Sequence, residues 1–384
     1  MDATTAPATG AAEGARPLAG MMIVELGHSV AAPYAGMILA DLGARVVKVE
    51  NPDKGDTARG WGPPFWHDTA SAFAALNRGK EGITIDYADP AERARLRALM
   101  ATADGVIQNL RPGLLEKYEF DVAGVMAQNP RLVWCDLGAF GAVGPLKSKP
   151  GYDPLAQATS GIMSVTGEYG RPPVRVGVSL VDMGSGMWSV IGMLSALVAR
   201  ERTGKGTRMS TSLFETGLAW MTIPLAGYEA TGDVRRPYGS GVGEICPYQA
   251  FETKDGWLMI AAGTDRLFRR LDRVLGLGLA DDPAYATNAG RVFNRDVLLP
   301  MIAERVAAWA PGDLAAALDE AGVPNCPLLA TDEVARHPQT EALGMAVDVD
   351  GLRLMGVPLT FDGERPRART AAPALGEHNE RTKA

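Results

Sequence analysis

Short apolar runs rich in β-branched residues alternate with helical segments through the first third of the chain, and this alternation constrains the fold more than any other feature. The predicted strands are MMIVEL (21–26), RVVKVE (45–50), ITIDY (83–87), GVIQNL (105–110) and RLVWCDLGAF (131–140). Between the first two, Pro33 suits the first turn of a helix and Gly43 its end. Unbroken apolar strands joined by helices indicate a parallel sheet covered on both faces. Ligands of such sheets bind beyond the carboxyl ends of the strands.

A change of pattern past residue 210 indicates a second domain. FETKDGWLMIAAG (251–263) predicts a hairpin with Lys254, Asp255 and Gly256 at its turn. AVDVDGLRL (346–354) could rejoin the first sheet. A chain of 384 residues also exceeds one ordinary core. The sequence therefore predicts a Rossmann-like α/β large domain with a parallel sheet and a smaller α+β domain. The predicted parts are a disordered tail (1–16), the first part of the large domain (17–210), the small domain (225–325) and the return to the large domain (330–384).

Charge and motif content argue against several classes of function. The net charge of −7 disfavours a nucleic-acid or membrane-surface partner. Three widely spaced cysteines indicate buried thiols in a reducing cytoplasm, and four histidines without ligand spacing predict no metal site. The longest apolar helix, predicted over 187–199, is too short to span a bilayer. The phosphate-binding motif G-x-x-x-x-G-K-[ST] and the serine elbow G-x-S-x-G are absent, which disfavours a dinucleotide-binding protein and a serine hydrolase.

Asp182 lies between a predicted strand (174–181) and a long apolar helix that begins with Gly184 and Gly186. One interpretation is structural, because Asp is a favoured N-cap residue. The other is catalytic, because a carboxylate can attack an acyl donor and the glycines would let the acyl group approach closely. The two roles are compatible, since a helix N-terminus stabilises an anion.

A second loop, KPGYDP, carries two further candidates. Asp153 precedes Pro154 and is interpreted first as the N-cap of its own helix. Tyr152 fits either a packed aromatic residue or a residue that lines a site. Scattered basic side chains near the predicted strand ends could contact a polyphosphate; they are Arg59, Arg78, Arg111, Lys117, Lys147 and Lys149.

Six separated motifs, taken in order, resemble the class III coenzyme A (CoA) transferases, the family that includes formyl-CoA transferase and the α-methylacyl-CoA racemases. The motifs are VELGHSVAAPYAGMILADLGARVVKVENPDKGDTAR (24–59), NRGKEGITID (77–86), ADGVIQNLRPGLLEKY (103–118), GPLKSKPGYDPLAQATSGIMSVTG (144–167), SLVDMGSGMWSVIGMLSALVARERTGKG (179–206) and AGVPNCP (321–327). The resemblance runs from about residue 20 to the C-terminus.

The resemblance implies that Asp182 is the catalytic nucleophile. In the transferases this carboxylate forms a mixed anhydride with the acyl donor and then a thioester with CoA, before CoA passes to the acceptor carboxylate. The chemistry requires donors for the tetrahedral oxyanions. The resemblance assigns these donors to a glycine loop, whose counterpart here is YGSGVG with Gly239, Gly241 and Gly243.

The resemblance also implies which residues contact CoA. Val30 and Ala31 would line the pantetheine path, and Asn109 would lie near the thioester. The remaining positions are Ile85 at the adenosine end, Lys117 and Lys149 at the phosphates, and Arg59 or Arg78 at the adenine, where the arginine of some relatives is replaced by Asn51. Tyr152 and Asp153 would line the substrate. CoA thioesters enter as substrates, and no permanently bound cofactor or metal is implied.

Position 152 separates the two activities of the family. The racemases carry Gly-His-Asp there, and the histidine moves an α-proton, whereas this chain has Gly-Tyr-Asp. A tyrosine with a pKa near ~10 would be a poor base, which favours a CoA-transferase over a racemase. Among the transferases, the resemblance favours the dicarboxylate branch with succinyl-CoA as donor, with the formyl/oxalate and carnitine branches as alternatives. A CoA-binding protein without catalysis is a further alternative, disfavoured by the intact Asp182.

The family also implies a quaternary structure. Its members are homodimers in which the two chains interlock, and the linkers would lie near residues 205–230 and 320–335. The expected partners are therefore a second copy of the chain and the acyl-CoA and carboxylate substrates, in the cytoplasm, without nucleic acid or membrane.

Overall fold

A computed structural model describes residues 16–367 and 370–382. Apart from Arg16, the predicted tail lies outside the described residues. The strands are β1 Met22–Leu26, β2 Arg45–Glu50, β3 Phe65–Trp66, β4 Thr69–Ala70, β5 Lys80–Thr84, β6 Gly105–Gln108, β7 Val133–Gly138, β8 Arg208–Ser212, β9 Tyr248–Thr253, β10 Gly256–Ala261, β11 Asn325–Pro327, β12 Ala346–Val349 and β13 Leu352–Met355. The helices are α1 Ala31–Asp41, α2 Ser71–Asn77, α3 Pro90–Ala101, α4 Leu114–Lys117, α5 Val122–Gln128, α6 Asp153–Thr159, α7 Ile162–Val165, α8 Leu180–Thr203, α9 Leu213–Trp220, α10 Thr222–Thr231, α11 Asp265–Leu275, α12 Asn288–Phe293, α13 Arg295–Val306, α14 Pro311–Glu320, α15 Thr331–Ala335 and α16 Pro338–Ala342, with 3₁₀ turns at Thr57–Gly60 and Asn379–Thr382.

A six-stranded parallel sheet is the frame of the first of two compact units. This unit takes in the described residues of Met1–Ser160, Gly177–Trp220 and Pro338–Ala384. The strand order is β5-β2-β1-β6-β7-β8, and every neighbouring pair is parallel. Four of the five predicted strands correspond to β1, β2, β6 and β7, and the fifth, ITIDY, overlaps β5 only at Ile83 and Thr84. The predicted α/β fold is confirmed. The sixth strand, β8, has the polar sequence RMSTS and is not among the predicted ones.

Alternate side chains of the central strands fill one core on each face of the sheet. Ile23 and Val46 pack with residues of α1 and α8, whereas Val24 and Val47 pack with residues of α3 and α5. Both faces of β1 and β2 are therefore covered, as the unbroken apolar runs predict. This arrangement leaves the carboxyl ends of the strands as the place for a ligand.

Two local predictions are wrong. The segment predicted as a strand over 174–181 forms no strand; Val174 and Val178 are exposed, and α8 already begins at Leu180. The sequence AVDVDGLRL does not rejoin the large sheet, because β12 pairs with β13 in a separate two-stranded sheet. An apolar run favours a strand, but a strand forms only where a neighbouring strand is available to pair with it.

The helix α8 is longer than predicted. It has 24 residues and ends at Gly204, which has a left-handed backbone (φ 71°). By length and composition alone it could cross a membrane, contrary to the prediction from its shorter apolar part, but half of its most apolar 18-residue window is buried in the structure. A core helix meets the same criteria.

The second unit comprises Gly161–Val176 and Met221–His337. Its three-stranded antiparallel sheet has the order β11-β10-β9, and Thr253 pairs with Gly256 at the predicted hairpin turn. Apolar residues of α11, α13 and α14 pack on this sheet in one core, which includes Phe251, Leu258 and Phe268. The predicted hairpin is confirmed.

Candidate active site

Asp182 lies in the first turn of α8 and is half-buried. It does not occupy the N-cap position, which belongs to Ser179, and the side chain of Ser179 forms no capping hydrogen bond. The structural interpretation of Asp182 as an N-cap is therefore wrong. The carboxyl group is free of that role and lines a cleft of the first unit.

The glycines after Asp182 serve helix packing. A Cβ atom on Gly184 would lie 2.9 Å from a side-chain atom of Thr216 in α9, and one on Gly186 would lie 2.7 Å from the carbonyl oxygen of Ala31 at the start of α1. Each glycine costs about 1 kcal/mol of helix propensity. That cost is offset by close contact with α1 and α9, so the space beside both glycines is filled by protein and not left for an acyl group.

Asp153 caps α8 from a neighbouring helix. Its Oδ1 accepts hydrogen bonds from the backbone N–H groups of Val181 (2.8 Å) and Asp182 (3.2 Å), and its Oδ2 accepts one from Nε2 of Gln157 (2.6 Å). Asp153 is only 3% exposed and is the first residue of α6, after an N-cap at Tyr152. The prediction that Asp153 caps its own helix is therefore wrong. Its carboxylate fixes the backbone of the candidate nucleophile.

The electrostatic environment of Asp182 favours its neutral form. Burial, followed by the negative charge of Asp153, raises the pKa of Asp182 to about 7. A carboxyl group with such a pKa is half ionised near neutral pH and is a stronger nucleophile than one that ionises near 4. Strongly perturbed carboxyl groups in clefts are typical of functional sites.

The cleft next to Asp182 brings together several of the predicted residues. Val30 and Ala31 precede and begin α1, Asn109 follows β6, and Tyr152 precedes α6. The cleft has an internal volume of about 80 Å³. This space suits a small acyl group. Tyr152 is 52% exposed and stands at the solvent side.

The side chain of Asn109 forms its hydrogen bonds within the cleft wall. Its Oδ1 accepts the backbone N–H of His28, and its Nδ2 donates to the backbone oxygen of His28, both at 2.9 Å. Asn109 thus pins the loop between β1 and α1 to the end of β6. This contact supports the placement of Asn109 at the site, with a bracing role.

Two ionisable residues of the cleft, His28 and Arg111, lie outside the site implied by the resemblance, although Arg111 is one of the basic side chains expected near a polyphosphate. Burial, with the positive charges of Lys48 and Arg111 and against the opposing charge of Asp56, lowers the pKa of His28. The imidazole is therefore neutral at pH 7. Arg111 is exposed and supplies the permanent positive charge of the cleft wall. The signal that could have identified both is their position two and three residues after the ends of β1 and β6.

Three residues predicted to contact CoA instead form contacts within the protein. Ile85 is fully buried in the core on the α3 side. The guanidinium of Arg78 is buried and pairs with Asp41 at 2.6 Å. Arg59 pairs with Glu50 at 2.6 Å and stacks on Phe73 at 4.0 Å from the ring centroid. The side chains of Ile85 and Arg78 offer no surface to a nucleotide in this conformation.

Lys117 and Lys149 are exposed and do not line the cleft itself. The Nζ of Lys117 lies 5.1 Å from the ring of Tyr118, and that of Lys149 lies 5.7 Å from the ring of Phe140. Both charges are therefore available to phosphate groups outside the cleft.

The predicted glycine loop belongs to the second unit. The N–H of Gly239 donates to the carbonyl of Gly167 (2.7 Å), and that of Gly241 donates to the carbonyl of Tyr238 (3.0 Å). The buried side chain of Arg295 donates to the carbonyl of Gly243 (3.0 Å). Among these three glycines, the amide N–H of Gly243 has no hydrogen-bond partner in the described part of the chain. No group of three metal-ligating side chains occurs among the described residues.

The comparisons with known proteins agree with this geometry. The sequence profile of CoA-transferase family III matches residues 18–379. The chain belongs to this family. It is 37% identical over 374 residues to the succinate–glutarate CoA-transferase of Agrobacterium fabrum, and the match covers 94% of each protein. It is 36% identical over 364 residues to the acetyl-CoA:oxalate CoA-transferase of Acetobacter aceti, with 94% of this chain and 93% of that protein covered.

The fold is similar to solved structures of the same kind. A CAIB/BAIF family protein from Brucella suis is 39% identical, superposes with a TM-score of 0.87, and is matched over 96% of this chain and 98% of that one. The predicted resemblance is confirmed. The protein is an enzyme of the CoA-transferase class and acts on CoA thioesters and carboxylates.

Proposed function

We propose that this family III CoA-transferase moves CoA from succinyl-CoA to a dicarboxylate acceptor through covalent intermediates on Asp182. The observation that carries the proposal is the carboxyl group of Asp182, held at the first turn of α8 by Asp153 and facing a cleft at the carboxyl ends of the strands. The choice of a dicarboxylate is supported by the names of relatives that act on glutarate and oxalate. The enzyme is proposed to be cytoplasmic, which fits the free thiols of Cys135, Cys246 and Cys326. Cys135 and Cys246 are buried as predicted, whereas the prediction is wrong for Cys326, which is exposed.

The proposed reaction runs in four balanced steps. The carboxylate of Asp182 attacks the thioester carbonyl of the donor and expels CoA thiolate, leaving a mixed anhydride. The thiolate attacks the aspartyl carbonyl of that anhydride, which releases the donor acid and forms a thioester between Asp182 and CoA. The acceptor carboxylate attacks this thioester and again releases the thiolate. The thiolate then attacks the acceptor carbonyl of the second anhydride, which frees Asp182.

The residues of the chain support these steps by binding, orientation and exclusion of water. Asp153 holds the backbone of the nucleophile, and Asn109 holds the cleft loop. Val30 and Ala31 give the cleft an apolar wall. The resemblance assigns oxyanion stabilisation to the glycine loop, where the N–H of Gly243 has no hydrogen-bond partner among the described residues. Lys117 and Lys149 are the proposed phosphate contacts, and Tyr152 lines the substrate.

The covalent intermediate can be tested directly. Intact-protein mass spectrometry after incubation with succinyl-CoA should show an adduct of the mass of CoA, and hydroxylamine or borohydride trapping should map it to Asp182. Glutarate or oxalate should discharge the adduct, and Asp182→Ala should form none. A succinyl-CoA-dependent exchange of the α-proton for deuterium without any adduct would favour the racemase and contradict the transferase. An adduct discharged by monocarboxylates alone would contradict the dicarboxylate acceptor.

The exposed face of α8 supports the proposed homodimer. Four large apolar side chains, Met187, Trp188, Ile191 and Val198, are between 42% and 64% exposed along this helix. Their spacing places them along one side of the helix. Apolar patches of this kind mark protein contacts. We propose that a second copy of the chain covers them.

The dimer proposal predicts that Ile191→Arg lowers both dimer content and activity. A charge placed in an apolar contact costs several kcal/mol, which raises the dissociation constant of the dimer by roughly a hundredfold to a thousandfold. Light scattering after size exclusion gives the mass, and the transfer rate is measured on the same fractions. Val297→Arg, at an exposed apolar position of α13 in the second unit, is the control. A fully active wild-type monomer would contradict the proposal.

A further inference from the structure

A network of buried charges lies under the cleft loop of residues 27–33. Glu25 of β1 contacts Lys48 of β2 through Oε1 (3.1 Å) and Lys80 of β5 through Oε2 (2.7 Å), and all three side chains are fully buried. Lys48 also contacts Asp56 at 2.9 Å. Burial lowers the pKa of Lys80 to about 8, against the opposing effect of Glu25, so Lys80 is charged at pH 7.

Such a network needs an explanation beyond stability. Buried ion pairs are often no more stabilising than apolar residues of similar size, because removing the charges from water is costly. The proposed transfer mechanism assigns no step to these charges. Their side chains do not reach the cleft, where the lining residues are His28, Ser29, Val30 and Ala31 on this side.

Three members of the network form a hydrogen bond with the backbone of the cleft loop, and Glu25 connects the two lysines. The Nζ of Lys48 donates to the carbonyl of Gly27 (2.8 Å), and the Nζ of Lys80 donates to the carbonyl of Pro33 (2.8 Å). The Oδ1 of Asp56 accepts the N–H of Ser29 (2.9 Å). The loop is thus held near both ends and in its middle by one connected set of charges.

The loop needs this support because its backbone is strained. Ser29 has a left-handed conformation with φ 67°, which non-glycine residues rarely adopt. The strain persists only where the surroundings fix the conformation. The loop leads into α1, and the carbonyl of Ala31 packs at Gly186 of α8, about one turn beyond Asp182. A displaced loop would therefore change the cleft wall opposite the nucleophile.

The geometry points to Glu25, Lys48, Asp56 and Lys80 as positioning residues that hold the 27–33 loop in the conformation required for CoA transfer. They touch neither substrate nor nucleophile and act through the backbone of the loop. The inference rests on the proposed function where it is tested by the rate of CoA transfer. Where it is tested by hydrogen exchange of the loop, it does not depend on that function.

The test removes one acid and one base together, so that the buried charge stays balanced. The double variant Glu25→Gln with Lys80→Met keeps an acceptor for Lys48 but removes the anchor on Pro33. The matched control is Asp104→Asn with Arg200→Met. It removes an ion pair of 3.0 Å in the same unit, with Arg200 near the other end of α8 from Asp182.

In the Glu25→Gln with Lys80→Met variant, called the cleft variant, we expect kcat/KM for acyl-CoA to fall roughly tenfold to 100-fold per folded molecule. The reason is that a displaced loop no longer orients the substrate for reaction. Hydrogen exchange of a peptide containing residues 28–31 should become faster in the same variant. The control should lower the melting temperature and leave both readings unchanged.

Equal kcat/KM and equal exchange in the two double variants would overturn the inference. If the cleft variant fails to fold, Lys48→Met with Asp56→Asn gives the same test, because it removes one acid, one base and the anchor on Gly27. If wild type transfers no CoA, the proposed function fails, and the exchange measurement still tests the positioning role.

Discussion

Replacing Asp182 by asparagine is expected to lower kcat for CoA transfer by roughly 10⁴-fold or more, the scale seen when a catalytic nucleophile is removed. The amide of asparagine has nearly the same shape as the carboxylate of Asp182 but is too weak a nucleophile to attack a thioester. No other carboxyl group among the described residues lines the cleft. The measurement is the rate of acyl-CoA exchange, followed by chromatography with succinyl-CoA and glutarate.

The same variant should be more stable than wild type at pH 8. The pKa of Asp182 is raised from about 4 in the unfolded chain to about 7 in the folded one, so the folded state binds more protons between these values. The free energy of unfolding of wild type therefore falls as pH rises from about 4 to about 7. The asparagine variant has no carboxyl group at this position and does not lose stability in this way. Its melting temperature should exceed that of wild type at pH 8, and the difference should vanish near pH 4.

Loss of activity with a gain in stability separates a catalytic role from a structural one. Asp182→Ala guards against deamidation of the asparagine back to aspartate. An asparagine variant that keeps activity within tenfold of wild type, with the alanine variant behaving alike, would show that Asp182 is not the nucleophile.

The sheet could be predicted from the sequence because its signal is local. Runs such as RVVKVE are buried on both faces in the structure, and their β-branched residues favour strands wherever a neighbour exists. The hairpin at Gly256 is equally local, since its turn chemistry lies within three residues. The segment over 174–178 shows the limit of this signal. Its three valines are β-branched, but it pairs with no strand, and Val174 and Val178 stay exposed.

The hydrogen bonds and ion pairs that support the site could not be predicted, because they join residues that are distant in sequence. Asp153 caps a helix that begins 27 residues after it. Glu25 meets Lys80 only because β1 and β5 lie on either side of β2 in the sheet. Arg78 and Ile85 have the residue types and loop-end positions expected of ligand contacts, yet both are buried. Resemblance points to Asp182 as the proposed nucleophile, whereas the structure shows which residues hold Asp182 in place.

The Asp153→Asn variant is expected to move the acid limb of the pH–activity profile of CoA transfer to lower pH. The proposed mechanism needs the ionised form of Asp182, so kcat/KM should fall as pH drops through about 7, to about a tenth of its plateau at pH 6. The charge of Asp153 is the second cause of the raised pKa, after burial. Removing it should lower the pKa in part and increase kcat/KM at pH 6 several-fold, with the plateau at pH 8 little changed.

Asparagine and alanine at position 153 separate charge from capping. Asparagine keeps an oxygen for the N–H groups of Val181 and Asp182, whereas alanine leaves both without that acceptor. Asp153→Ala should therefore cost about 1–3 kcal/mol of stability and lower the plateau as well, because the first turn of α8 carries the nucleophile. The two profiles, measured from pH 5 to 9 with melting curves at each pH, decide the assignment. An acid limb that stays in place in the asparagine variant would mean that burial alone sets the pKa of Asp182, with Asp153 acting on the backbone of α8 only.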